Sequence, residues 1–241
     1  TLNSLRICKI LQAKYFYISS SRVYSIEKIK KINFKIKNNR FVLKKNKYTG
    51  ISTKGINEDF PTSSPISFYG STKIIGENIV KEFCLFNKIP FIINRCGLLA
   101  GSRQLYKDDQ GIVSFWINSW KNKKKLSYID FGCHGHQVRD CLHPIDLGNL
   151  IIKQIKYLRK NNNKRSVFNV SGGISSAFSL KELSLWCKKN IFDKKIGKVR
   201  KNRPFDLKWI VLDNSLTIRQ FKWKIKFSKY KIFQDINSND S

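Results

Sequence analysis

Methionine is absent from all 241 residues. The chain has no initiator and opens inside an amphipathic pattern (Leu2, Leu5, Cys8, Leu11) that predicts a helix, so it is expected to be a piece whose N-terminal part is missing. Acidic residues are scarce: 16 Asp and Glu stand against 47 Lys and Arg, a formal net charge of +31. Such a charge suits phosphate neutralisation. Lysine, however, outnumbers arginine 36 to 11, whereas specific base and phosphate readers favour the arginine fork. No zinc-finger or RNP-type motif occurs. The lysines are mixed with Asn and Ile, as an AT-rich coding sequence produces, and the expectation is a solvated basic surface with no nucleic-acid function.

The six cysteines, at 8, 84, 96, 133, 141 and 187, include no C-x-x-C pair and read as reduced intracellular thiols. No run reaches the ~18 apolar residues of a membrane helix, and Thr1-Leu2-Asn3-Ser4 has no signal-peptide form. The expectation is a cytoplasmic chain with no membrane partner. Cys133, His134, His136, Cys141 and His143 supply five potential zinc ligands, but their spacing fits no common zinc pattern. No metal is expected, and the histidines are assigned to structure or substrate contact. Also missing is any G-x-G-x-x-G or G-x-x-G-x-x-G turn, the device that seats a pyrophosphate on backbone amides; Gly132 and Gly135 are not followed by the right helix.

What is present is ample for a packed globule, 41% hydrophobic and 13% aromatic, with one sizeable domain or a large one plus an appendage. Tyr15-Phe16-Tyr17-Ile18 is an apolar run closed by Ser19-Ser20-Ser21, the form of a buried parallel strand whose C-terminal end meets a site. Residues 25–65 show no sustained period and read as a long loop. Ser67 starts a helix with Ile74, Ile75, Ile79, Val80 and Phe83 behind its first turns. Further strands are expected at Pro90–Arg95, on both sides of Gly132–Gly135, at Val167–Val170 and at Trp209–Leu212. Helices are expected at 111–120, from Pro144 and at Leu180–Trp186, with a frayed polar tail over 229–241. Strands alternating with helices make an α/β protein.

Tyr69 and Lys73 stand at i and i+4 of the expected helix and share one face. A tyrosine hydroxyl titrates near ~10, too high for a useful base, and a neighbouring cation favours its ionised form. A serine hydroxyl at the strand end could hold the substrate hydroxyl that yields its proton.

Ser20 with Tyr69 and Lys73, Asn94-Arg95, Val138-Arg139-Asp140-Cys141-Leu142-His143 and Asp146 together resemble the extended short-chain dehydrogenase/reductases that act on nucleotide sugars, over about residues 1–225. Gly101-Ser102-Arg103-Gln104 with Asp109-Gln110-Gly111, and Ser21-Arg22-Val23-Tyr24, look like the CDP-paratose 2-epimerase (CDP-tyvelose 2-epimerase) branch. The resemblance implies a Rossmann-like doubly wound parallel sheet, its first strands missing. It implies a division into residues 1–100, the latter part of the NAD-binding domain, and 101–228, a smaller α/β substrate-binding region. It also implies Tyr69 as base and acid, Lys73 as its electrostatic partner and a ribose contact, Ser20 as the hydroxyl sharing the proton, and Ser19 at the cofactor NAD. Substrate contacts are implied for Ser21, Asn94, Arg95, Gln104, Asp109 and Gln110, with Arg139 and Arg203 near the nucleotide diphosphate. The implied partner is a nucleotide-diphosphate sugar, oxidised and re-reduced at C2, and the complete protein is expected to be a homodimer or homotetramer. The acids that dehydratases carry after this serine are replaced by Ser21-Arg22, which disfavours elimination.

Overall fold

The computed structural model of the chain describes residues 1–44, 48–107, 110–159, 166–201 and 203–239. Helix α1 (Leu2–Ile10) turns Leu5 and Cys8 inward, as their spacing of three on one face requires, and leads into strand β1 (Tyr15–Ser20). The segment 25–65 is not the loop its composition suggests. It holds helix α2 (Ile26–Lys30), a hairpin of β2 (Phe34–Lys37) and β3 (Arg40–Leu43), and a small pair, β4 (Ile51–Ser52) and β5 (Gly55–Ile56). Asn38 and Asn39 turn the first hairpin with φ of 48° and 65°, the left-handed region that Asn tolerates and that two-residue hairpin turns use. Its few apolar side chains find their partners far along the chain: Ile26, Ile29, Phe41, Ile56 and Phe60 are buried in one cluster with Trp209, Val211 and Leu212. The Arg40 guanidinium is paired with Glu182 and donates to the Ala177 carbonyl, so the insertion is pinned by tertiary contacts that no local period announces.

The chain continues through α3 (Phe68–Phe86), β6 (Phe91–Cys96), β7 (Leu98–Leu99), α4 (Ile112–Lys121), β8 (Ser127–Ile129), β9 (Val138–Leu142), α5 (Pro144–Leu158) and β10 (Val167–Val170). It closes with β11 (Ala177–Ser179), α6 (Leu180–Asn190), β12 (Gly197–Val199), β13 (Trp209–Ile210), α7 (Ser215–Phe221) and α8 (Lys229–Asn239). Strands β1, β6 and β10 form a parallel sheet in that order, with Ser20 opposite Cys96 and Cys96 opposite Val170. Their C-terminal ends therefore finish along one edge.

Strand β6 is buried along its whole length, and its alternation sorts two faces. Phe91 and Ile93 pack with Leu5 of α1 and with Val80 and Cys84 of α3. Ile92 and Cys96 pack with Leu147 and Leu150 of α5 and Phe221 of α7. Helices on both faces of a parallel sheet are the Rossmann-like doubly wound arrangement. A second sheet joins β11, β9 and β13, with β7 also pairing β9. Because β7 follows β6 across Gly97, the second sheet begins where the first sheet's strands end.

The expected frayed tail is a helix instead. Ile232, Phe233 and Ile236 of α8 are buried with Trp116, Ile117 and Trp120 of α4. Asp235 accepts from the Ser102 amide at 2.7 Å and pairs with His143 Nε2 at 3.2 Å. The three buried residues of α8, spaced i, i+1, i+4, share one face among polar neighbours.

Candidate active site

Ser67 caps α3, its Oγ accepting the Gly70 amide at 3.1 Å. The first turn of α3 lies on the segment just after β1, and a Cβ on Gly70 would sit 2.2 Å from the Arg22 carbonyl oxygen. Glycine is required there because backbone meets helix. One and a half turns on, a Cβ on Gly76 would sit 2.0 Å from the Tyr17 hydroxyl, so α3 presses on β1 at two points.

That approach carries Lys73 to the strand. Its Nζ donates to the Ile18 carbonyl at 2.9 Å and lies 5.8 Å from the Tyr69 ring centroid and 5.4 Å from that of Tyr17. The cation is thus held between two aromatic faces. The Tyr69 side is open, with 54% of the residue exposed. Ser20 Oγ accepts the Arg22 amide at 3.2 Å, which orients its hydroxyl at the strand end.

Ser20, Ser21, Tyr69 and Lys73 line one cleft of about 1080 Å³ together with Gln104, Gln110, Arg139 and Arg203. These sequence-predicted residues are brought together from β1, α3, the loop after β7, β9 and the stretch before β13. Gln104 is fixed, its Nε2 donating to the Leu99 carbonyl at 3.0 Å and its Oε1 accepting from Ser114 at 3.1 Å. Asp109 lies outside the described residues.

Arg139 is anchored on both nitrogens of its fork. Nη1 donates to the carbonyls of Val138 (2.7 Å) and Leu207 (2.9 Å), and Nη2 to Asp206 Oδ1 at 2.6 Å. Arg22, which the sequence reading passed over as a site residue, also lines the cleft, its Nη1 donating to the Phe205 carbonyl at 3.2 Å. Burial and the nearby Arg139 charge push its guanidinium below the usual range. Lys125 and Lys201 line the cleft as well, so it is strongly cationic and suited to a phosphorylated ligand. The position of Arg22 two residues beyond Ser20 was the available signal.

Two expectations are corrected. Asn94 is fully buried and exchanges amide hydrogen bonds of 2.9 and 2.8 Å with Gln154 of α5. Arg95 is 5% exposed and lies bidentate on Glu77 of α3. Neither reaches the cleft: β6 is central and covered on both faces, so its polar side chains meet helices. Ser19 belongs to the cleft wall, its hydroxyl donating to Glu77 Oε1 at 2.6 Å.

In the cysteine and histidine segment, His143, Cys133 and Cys141 make internal contacts. His143 caps α5 through Nδ1, which accepts the Ile145 amide at 3.2 Å, and stacks on Phe227 at 4.0 Å. Cys133 Sγ faces the Val199 carbonyl and Cys141 Sγ that of Ser176. Among the described residues no group of three or more His, Cys, Asp or Glu is arranged to hold a metal. Cys96, beside the cleft, has its thiol pushed up to about 12 by burial, against the pull of Lys73, which disfavours the nucleophilic thiolate.

Among the described residues, no helix is long and apolar enough to cross a membrane. Tyr69 and Lys73 converge on the cleft at the strand ends. The sequence holds no glycine-rich turn of the kind that seats a pyrophosphate.

A protein of Methanocaldococcus jannaschii that carries a provisional UDP-glucose 4-epimerase name is 29% identical over 118 residues, 49% of this chain and 35% of that protein. Among solved structures, Pal from Bacillus thuringiensis superposes with a TM-score of 0.73 at 21% identity, covering 98% of this chain and 65% of its own. UDP-glucuronic acid 4-epimerase from Bacillus cereus, solved with UDP-glucuronic acid and NAD, gives a TM-score of 0.69 at 22% identity, with coverage of 98% and 64%. The chain thus spans less than two thirds of the length of each, and at these identities the two structures show the fold alone. The sequence model of one family matches residues 1–171, well over half of the chain. With the Tyr69–Lys73 pair seated at the C-terminal edge of a parallel sheet, that match makes the chain a member of the NAD dependent epimerase/dehydratase family.

Proposed function

We propose that the whole protein, of which this chain forms the Tyr-Lys and substrate side, epimerises a nucleotide-diphosphate sugar, with CDP-paratose to CDP-tyvelose as the specific conversion. The observation that carries the reading is the Tyr69–Lys73 pair held over Ile18 of β1, with Ser20 at the strand end and a cationic cleft in front. Bound NAD would supply the hydride acceptor at the start of the cycle and the donor at its end. Ser20 holds the reacting sugar hydroxyl, and Tyr69 Oη removes its proton and later returns it. The Lys73 ammonium lies 5.8 Å from the centroid of the Tyr69 ring, and its bond to Ile18 stops it from drifting into solvent. Arg139 and Arg203 take the diphosphate, with Asp206 holding the Arg139 fork toward the cleft wall. Between the two hydride transfers the keto sugar would have to turn over within the cleft.

The C2 assignment is supported by Gly101–Gln104 with Asp109–Gly111 and by Ser21-Arg22 in place of acids, a pattern unsuited to elimination. The similarity to the Methanocaldococcus protein favours a second reading, C4 epimerisation of a UDP-sugar. Assembly into a homodimer or homotetramer is also proposed, supported by Ile75, Leu85 and Phe86 of α3, which are 56, 66 and 86% exposed.

The test uses the complete gene product that contains this chain, incubated separately with CDP-paratose and UDP-glucose, with products identified by NMR. Inversion at C2 of the first supports the proposal, and inversion at C4 of the second supports the alternative. Turnover of neither contradicts both. The 241-residue chain alone is expected to retain no NAD, and stoichiometric NAD on the purified chain would contradict the division of labour proposed here.

A further inference from the structure

We infer that Glu77 and Arg95 form a buried strut that sets the position of α3 on β1, and through it the placement of Tyr69 and Lys73, which makes both positioning residues for the reaction proposed above; the inference rests on that reading. Glu77 follows Lys73 by one helical turn and Tyr69 by two, so the three share one face of α3. Its carboxylate is fully buried. Oε1 accepts from Ser19 Oγ at 2.6 Å and from Arg95 Nε at 3.0 Å, and Oε2 accepts from Arg95 Nη2 at 2.7 Å. The chain of contacts continues across the sheet. The Arg95 guanidinium lies 5.2 Å from the centroid of the Tyr24 ring, and the Tyr24 hydroxyl donates to Asn169 Oδ1 at 2.6 Å. Ser19 lies on β1, Glu77 on α3, Arg95 on β6 and Asn169 on β10, so one polar line ties the catalytic helix to all three strands.

Its placement relative to the reacting groups gives it a role beyond cohesion. Ile18, Ser19 and Ser20 are consecutive. The carbonyl of the first receives Lys73, the hydroxyl of the second receives Glu77, and the third lines the cleft. Two struts one turn apart therefore fix both the height and the rotation of α3 against the residue that holds the substrate. A buried ion pair does not need to exist for stability, since well-packed apolar residues of similar volume often serve as well or better. Apolar replacements, though, have no directional bonds and allow the helix to slide. Misplacement of reacting groups by about 1 Å costs on the order of 10²-fold in rate.

The test is the double substitution Glu77→Leu with Arg95→Met, made in the 241-residue chain and in the complete gene product that contains it. A cohesive role alone predicts an unchanged melting temperature and unchanged turnover. The strut predicts a melting temperature kept or raised, kcat lowered by about 10- to 10²-fold with KM for the nucleotide sugar within about twofold, and amide exchange of residues 68–77 in the 241-residue chain faster by at least about tenfold. Unchanged kcat together with unchanged exchange in a folded double variant would overturn the inference. If the double variant does not fold, Glu77→Gln is read by the same split, and normal kcat in that variant overturns it equally. Should the unsubstituted complete gene product turn over no nucleotide sugar, the proposed function fails, and the exchange of residues 68–77 alone decides the strut.

Discussion

The Lys73 ammonium donates 2.9 Å to the main-chain carbonyl of Ile18, two residues before Ser20. A side chain with four rotatable bonds is thereby fixed to the strand that presents the substrate-holding serine, and the aromatic faces of Tyr17 and Tyr69 close it in on two sides. Lys73 is therefore both a charge beside the phenol and a spacer between helix and strand.

Replacing Lys73 with Met keeps most of its length and removes both roles. In the complete gene product kcat should fall by about 10²- to 10⁴-fold, the usual reach of an acid–base apparatus, while thermal unfolding of the 241-residue chain shifts by only a few degrees. Steady-state kinetics and calorimetry measure the two. Turnover within threefold of normal would remove Lys73 from the mechanism.

Gly70 is the contact point between α3 and the segment following Ser20. Adding a methyl group, Gly70→Ala, normally favours a helix interior by about 1 kcal/mol. Here the new Cβ would lie 2.2 Å from the Arg22 carbonyl oxygen, and that overlap outweighs the gain. The variant should be less stable in urea by about 1–3 kcal/mol, the range for overpacking. A more stable variant would show that α3 sits farther from β1 than described.

Asp140 is 2% exposed, and burial pushes its carboxyl up to about 6, against hydrogen bonds from Ser171 and the Leu212 amide that pull it down. The unfolded value is about 3.9. The native state therefore binds more protons than the unfolded state between these limits, and this group's contribution is complete below about pH 4 and lost as pH rises through about 6. A charged Asp140 costs about 3 kcal/mol at pH 7 on this basis. Asp140→Asn keeps a carbonyl acceptor for the Leu212 amide, so its stability relative to the parent should rise between about pH 4 and 6 and stay level above 7. Urea titrations at four pH values measure the difference, and a flat difference would contradict the burial argument.

The sequence disclosed those parts of the molecule whose cause is local. The run Tyr15–Ile18 with its serines, the Ser67 cap, Pro144 at a helix start and the i, i+4 pair Tyr69–Lys73 were readable because each follows from a neighbour within a few residues. The β2–β3 hairpin was not, because Ile26, Phe41 and Ile56 are held by Trp209 and Leu212 from far along the chain. Helix α8 was hidden in the same way, its three buried residues packing on α4. Asn94 and Arg95 misled for a related reason. Polar residues at the end of a buried strand look like ligand contacts until the partner helices are known, and here Gln154 and Glu77 satisfy them internally. Nothing in the spacing of Glu77 alone separated it from the many charged residues around it.

The most direct measurement is turnover by the complete gene product carrying Tyr69→Phe, with its nucleotide sugar and NAD saturating. Loss of the single hydroxyl should lower kcat by about 10²- to 10⁴-fold with the fold and cofactor content unchanged. Interconversion at the parental rate would contradict the account, because Tyr69 is the one phenol among the described residues that line the cleft.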